Sequence, residues 1–165
     1  MRRIVIYSAY ESKQGRTERV NYWLAIHYPM SAKERAAEWR YWLFLKNDRP
    51  DLRPDDRVFI YQTETNPAYI EDGTTITRPL GRKAVIALVR VTSGPRQLRD
   101  GDEILQDGRV HHWKFEVETV LERECDISLY EIRRALRKPG WCARVAGGLM
   151  PVSEDEFNRM LAMCR

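Results

Sequence analysis

The sequence predicts an α+β domain, a curved and mostly antiparallel sheet forming a partly open β-barrel packed by about three helices. Three observations carry this. Short apolar or alternating segments recur along the chain and read as about six strands. Ser-x-x-Glu capping boxes at Ser31–Glu34, Ser128–Glu131 and Ser153–Glu156 each precede apolar residues at helical spacing. The elements do not alternate strand with helix, which argues against a doubly wound parallel sheet.

Taken in order, Arg3 to Tyr10 reads as a strand, followed by a polar stretch from Glu11 to Glu18. Val20 to Tyr28 is rich in aromatic and branched residues and reads as a second strand. Its alternation puts Tyr22, Leu24, Ile26 and Tyr28 on one face and Trp23, Ala25 and His27 on the other. Ser31 then caps a helix with Ala32, Ala36, Trp39 and Leu43 on one side, running to Lys46. A loop with Pro50 and Pro54 leads into the strand Arg57 to Tyr61. Gln62 to Arg82 is polar, carries Asp72-Gly73, and reads as a long loop or a hairpin. Lys83 to Val91 is a strongly apolar, central strand. Asp100-Gly101 and Asp107-Gly108 mark turns. Trp113 to Leu121 alternates as a half-buried antiparallel strand, with Phe115, Val117, Thr119 and Leu121 on one face. Two short helices follow, from Ser128 with Leu129, Ile132 and Leu136, and from Ser153 with Phe157, Met160, Leu161 and Cys164.

The bulk numbers bound the function. A chain of 165 residues, 43% hydrophobic and 32% charged, fits one globular domain over 1–165, with 1–20 as an extension carrying an extra strand. No apolar run approaches the ~20 residues of a membrane span. The start, Arg2-Arg3-Ile4-Val5-Ile6, is too short an apolar run for a secretory signal, so a cytoplasmic location is expected. Cys125, Cys142 and Cys164 are odd in number and widely spaced, a poor disulfide framework, and read as free thiols. His27, His111 and His112 form no ligand-spaced pair with each other or with the cysteines. Neither a metal nor another cofactor is expected.

No phosphate-binding glycine loop and no nucleophile elbow is present; Gly147-Gly148 precedes Leu149-Met150-Pro151 rather than a Lys-Ser pair. Asp55-Asp56 and Glu154-Asp155-Glu156 sit at a turn and a helix start, where acids serve structure. The net charge of +4 is unevenly spread. Arg78, Arg82, Lys83, Arg90, Arg96 and Arg99 form a stretch without an acid. So do Arg133, Arg134, Arg137, Lys138 and Arg144. Such blocks either make a face for a phosphate backbone or are simply solvated. Of the tryptophans, Trp39 and Trp42 have core-like helical spacing. Trp113 and Trp141 stand at element edges, where a ring can stack on a base.

Several segments, in order, resemble one family. They are Asn21-Tyr22-Trp23-Leu24, Arg53-Pro54-Asp55-Asp56-Arg57-Val58-Phe59-Ile60-Tyr61, Ala84 to Val91, Trp113, and Gly148-Leu149-Met150-Pro151-Val152-Ser153-Glu154-Asp155-Glu156-Phe157. Together they resemble the EVE family of the PUA-like superfamily, kin to the YTH and ASCH modules. The resemblance runs from Asn21 to Cys164. The family's Pro-Gly-Asp stands here as Pro54-Asp55-Asp56, and its usual strand-end residues are replaced by His27 and Tyr28.

The resemblance implies a non-enzymatic module that binds DNA or RNA through a modified, methylated base. The implied base pocket is His27, Tyr28, Trp39, Tyr61, Gln62, Thr63, Trp113 and Met150. Trp39 and Tyr61 would cage the base, and His27, Gln62 and Thr63 would read its edge. Arg82, Lys83, Arg96 and Arg144 would hold phosphates. The ASCH kinship implies an alternative, an RNA-processing protein or an amidohydrolase acting on a modified nucleoside, the amidohydrolase taking an acetylated nucleoside through a Lys, a Thr and a Glu. The early Gly-x-Lys pattern of that group is absent here, and Thr63-Glu64 offers part of the set. A third alternative is a protein-interaction or small-ligand module.

Overall fold

The computed structural model describes residues 19–27, 29, 41–44, 50–64, 69–76, 80–99, 104–106, 109–121, 125–142 and 148–164. The α+β architecture holds. Strands β1 (Tyr22–His27), β2 (Tyr41–Phe44), β3 (Arg57–Gln62), β6 (Ala84–Val91), β10 (Trp113–Leu121) and β12 (Leu149–Val152) form a sheet in the order β12-β1-β3-β6-β10-β2. Strand β11 (Ile127–Ser128) adds to β6, and β7 (Arg96–Gln97) adds to β10. Strands β4 (Tyr69–Glu71) and β5 (Thr74–Ile76) form a separate hairpin, as do β8 (Ile104–Gln106) and β9 (Arg109–His111). Helices α1 (Leu129–Leu136) and α2 (Glu154–Leu161) follow.

β1 and β3 pair in parallel, with Ile26 opposite Tyr61 and His27 opposite Gln62; the other described pairings are antiparallel. Parallel neighbours need a long crossover, which residues 28–56 supply. Pro151 lies in β12, at the sheet's edge, where a missing N–H is tolerated.

Both faces of the sheet are buried. Leu24, Phe59, Tyr61, Val85 and Leu88 point to one face and meet Ile132, Ala135 and Leu136 of α1 and Phe157 and Met160 of α2. Phe157 anchors α2, its ring centroid 4.4 Å from Tyr22 and 4.9 Å from Phe59. Ala25, Val58, Ile60, Val89, Val91 and Phe115 form the second core with Leu52. The expected alternation in β1 is present, with Leu24 in one core and Ala25 in the other. A β-bulge at Ile86 inserts an extra residue opposite the step from Ile60 to Tyr61. Ile86 and Ala87 consequently both pack on the second core.

The capping boxes of Ser128 and Ser153 form as expected. Ser128 Oγ accepts from the Glu131 N–H, and Glu131 accepts from the Ser128 N–H; Ser153 and Glu156 repeat the exchange. Each cap contributes ~1 kcal/mol to a short helix. The Asp72-Gly73 turn has positive φ at both residues (49° and 75°), which matches the twist of the β4–β5 hairpin. The segment from Gln62 to Arg82 is thus partly a hairpin.

One element differs from expectation. The helix expected from Ser31 to Lys46 does not reach its end: Tyr41–Phe44 is a strand, with Trp42 opposite Phe115 and Leu43 opposite Lys114. Tyr-Trp-Leu-Phe is a run of strand formers, and pairing along β10 outweighs the helical spacing of Leu43. The Ser31 box, Trp39 and the strand expected from Arg3 to Tyr10 lie outside the described residues, as do Tyr28 and Arg144.

Asp56 ties the strand starts together. It is 1% exposed. Its Oδ1 accepts from the Asn21 N–H (2.9 Å) and from Asn21 Nδ2 (3.2 Å), and its Oδ2 accepts from Trp23 Nε1 (2.9 Å) and the Arg53 N–H (3.0 Å). Asp55 before it has φ 72°, the left-handed region. Glycine adopts that conformation freely and Asp tolerates it, which accounts for Asp55 standing where the related motif has Gly.

Candidate functional site

The register of β1, β3 and β6 gathers a set of polar and aromatic side chains at one end of the sheet. His27 lies opposite Gln62, and Gln62 opposite Ala84. The Thr63 N–H donates to the His27 carbonyl (2.8 Å), extending the parallel ladder by one rung. Residues 81–83 then fold over this end. The Gly81 N–H donates to the Glu64 carbonyl (2.7 Å), and a Cβ at Gly81 would run into the Thr63 carbonyl. Only glycine permits this approach. It delivers the Arg82 N–H to Gln62 Oε1 (2.9 Å). With that oxygen occupied, the two amide N–H donors of Gln62 are left for a ligand.

Lys83 has φ 53°, a conformation unfavourable for a residue with a long side chain. Its Nζ lies 2.9 Å from Glu64 Oε2, and Arg82 reaches Asp126 at 3.1 Å. All four side chains are at least half exposed. Exposed pairs of this kind are worth ~0–1 kcal/mol, so an incoming phosphate can displace the acids at little cost.

Tyr61 packs in the helix-side core, whereas strand alternation turns its neighbours His27 and Gln62 toward the other face of the sheet. Its ring is 3% exposed and meets Trp141 edge-to-face, centroids 5.4 Å apart at 90°. Burial raises the phenol's pKa above the ordinary tyrosine value, with Arg133 opposing and Glu64 and Cys142 reinforcing the shift. The hydroxyl is therefore a neutral group at physiological pH. Arg133 Nε donates to the Trp141 carbonyl (2.9 Å) and fixes the segment after α1 over Tyr61. The Trp141 indole N–H is buried with no acceptor among the described residues. A buried unpaired donor costs ~1–3 kcal/mol and marks the spot as unusual.

The structure thus places His27, Tyr61, Gln62, Thr63, Arg82 and Lys83 at one end of the sheet, with Tyr61 on the helix-side face and His27 and Gln62 on the other. Trp141, Arg133, Glu64 and Cys142 join them. The sequence marks Trp141 only as an edge aromatic, Arg133 only within a charge block and Glu64 only as part of a catalytic alternative.

No family model and no curated protein matches the sequence. Solved structures do match. An ASCH protein from Zymomonas mobilis superposes with a TM-score of 0.58 at 13% identity, covering 88% of this chain and 96% of the other. A hypothetical protein from Leishmania major gives 0.58 at 17% identity, covering 90% and 96%. Human THYN1, solved in complex with DNA containing 5-methylcytosine, gives 0.55 at 13% identity, covering 87% and 96%. The chain has the PUA-like fold.

Within this PUA-like sheet the remaining expected residues lie apart from the Tyr61 end. Met150 sits opposite Leu24 and packs on the helix-side core, so its side chain serves packing. Trp113 and Arg96 do not reach Tyr61. Tyr61 pairs with Val85 at the start of β6, whereas Val91 at its far end pairs with Val117, and Trp113 lies beyond. Six residues of β6 alone span about 20 Å. At that far end Arg96 stands directly opposite Lys114, and Trp113 opposite Gln97.

A groove of about 440 Å³ opens at the start of β1, between Asn21–Trp23 and Val152–Glu154. Asp51 and Glu154 line it with Arg19, and the indole N–H of Trp23 is already held by Asp56. This acidic lining does not suit a phosphate. Among the described residues no cluster of His, Cys, Asp and Glu is arranged for a metal, and no helix is long and apolar enough to cross a membrane.

Proposed function

We propose that the chain binds nucleic acid and holds a methylated base at the Tyr61 end of the sheet. The observation that carries this is the gathering of His27, Gln62, Thr63, Arg82 and Lys83 at one end of the sheet, where the ends of β1 and β3 meet the start of β6. Edge-directed amide donors and displaceable cations are what a base edge and its phosphates require. The fold is shared with a protein solved on 5-methylcytosine DNA, which supports the choice of ligand class. Tyr61 and Trp141 are each 3% exposed and pack in the helix-side core, so neither ring cages the base, and the base edge is read by the Gln62 amide, His27 and Thr63. Arg82 and Lys83 take the phosphates beside the base. Arg96 contacts the strand further along.

Gln62→Ala tests the assignment of the edge reader. Removing the amide N–H donors leaves the base-edge acceptor they serve unpaired, which costs ~1–3 kcal/mol of discrimination. The expected result is a drop of roughly 5- to 100-fold in the preference between the favoured methylated and unmodified oligonucleotides by fluorescence anisotropy, with the salt dependence unchanged. An unchanged preference removes Gln62 from the site.

One observation favours a second reading. Lys83 Nζ lies 2.9 Å from Glu64, which follows Thr63 in sequence, so a Lys–Glu pair stands at this end of the sheet. That pair supplies two of the three groups that the ASCH kinship implies for an amidohydrolase. Release of acetate from acetylated nucleosides, abolished by Glu64→Gln, is the result that selects it.

A further inference from the structure

The cysteines, widely spaced in sequence, are not all distant in space. Cys125 lies just before β11 and is fully buried. Cys164 lies just beyond α2 and is partly exposed, in a turn closed by its N–H donating to the Leu161 carbonyl (3.1 Å). Their sulfurs are 3.0 Å apart, although 39 residues separate them. Both pack on the core that α1, α2 and the sheet share. Cys142 is elsewhere, beside Tyr61.

We propose that Cys125 and Cys164 are a reversible dithiol–disulfide pair that clasps the end of α2 to the strand edge at β11. Bond formation needs the sulfurs to close to about 2.05 Å, a movement of about 1 Å that a turn at a helix end can absorb. The more exposed Cys164 meets a peroxide first. Its thiolate attacks one peroxide oxygen, the O–O bond breaks, and a sulfenic acid and water result. The Cys125 sulfur then attacks the Cys164 sulfur, the S–O bond breaks, and a second water leaves with the Cys125 proton. Two thiols and one hydrogen peroxide give one disulfide and two waters; the thiols lose two electrons and the peroxide gains them. A small thiol reductant reverses the step.

The consequence is mechanical. α2 holds Phe157 against Tyr22 and Phe59, and its cap residue Ser153 directly follows β12. Closing the loop between residues 125 and 164 restrains the unfolded chain and raises the barrier to detaching α2. A pair that cycles with the redox state is the form in which disulfides occur in reducing compartments.

The test uses the full chain, titrated with hydrogen peroxide under native conditions, then unfolded and labelled with N-ethylmaleimide. The expected result is an intact mass carrying one label, on Cys142, and a peptide cross-link between Cys125 and Cys164. Dithiothreitol restores three labels. The melting temperature of the oxidised protein should exceed that of the reduced protein by roughly 5–10 °C. Cys164→Ser, which keeps the buried Cys125 intact, should abolish both the cross-link and the rise. Three labels after oxidation, or a cross-link through Cys142, overturns the proposal.

Discussion

Asp56→Ala is expected to lower stability by about 4 kcal/mol, enough to drop the melting temperature by roughly 10 °C in a chain of this size. The carboxylate is 1% exposed and serves four donors, the N–H and Nδ2 of Asn21, Nε1 of Trp23 and the N–H of Arg53. Alanine leaves those donors facing a void that cannot solvate them. The damage falls on the starts of β1 and β3, the parallel pair whose far ends carry His27 and Gln62. Asp56→Asn keeps one acceptor oxygen but turns an NH₂ group toward two of the donors, so about half the destabilisation is expected. Urea denaturation monitored by tryptophan fluorescence measures both. Equal, small effects for the two variants contradict the role given to the carboxylate.

Replacing both Arg82 and Lys83 by Ala is expected to weaken nucleic-acid binding about 100-fold at physiological salt, roughly 3 kcal/mol for two charge-assisted contacts. It should also flatten the dependence of log K on log salt by about 2, one for each phosphate no longer neutralised. Stability should hardly change, because the ion pairs to Asp126 and Glu64 that these residues make are at least half exposed. Anisotropy titrations at several salt concentrations separate the two effects. A lower affinity with an unchanged slope means that Arg82 and Lys83 shape the site without touching phosphate.

The fold was legible in the sequence wherever local chemistry and long-range packing agree. The capping boxes at Ser128 and Ser153 form because two orphan donors are satisfied within four residues, independently of the rest of the chain. The core faces of β1 follow from strict alternation, and those of β10 do so through Phe115 and Val117; a register shift between Thr119 and Leu121 turns Leu121 from the expected face to the helix-side core. The strand at Tyr41–Phe44 was not legible, because its partner is β10, about 70 residues downstream, and aromatic runs satisfy both helical and strand spacing. The candidate site was legible in part. Tyr61, Gln62 and Thr63 are consecutive, and His27 ends the strand that pairs with them. Trp141 reaches Tyr61 only because Arg133 folds the segment after α1 back over the sheet, an approach across 80 residues of sequence that no local pattern encodes. The separation of Trp113 and Arg96 from Tyr61 is likewise set by strand register, which composition does not record.

The most direct test of the central claim is an anisotropy titration of the protein against single- and double-stranded oligonucleotides that differ only in one base: cytosine, 5-methylcytosine, adenine or N6-methyladenine. The account predicts binding that weakens steeply with salt and is tighter for one methylated oligonucleotide than for its unmodified counterpart. Binding that is absent at low salt, or indifferent to methylation in every pair, contradicts it.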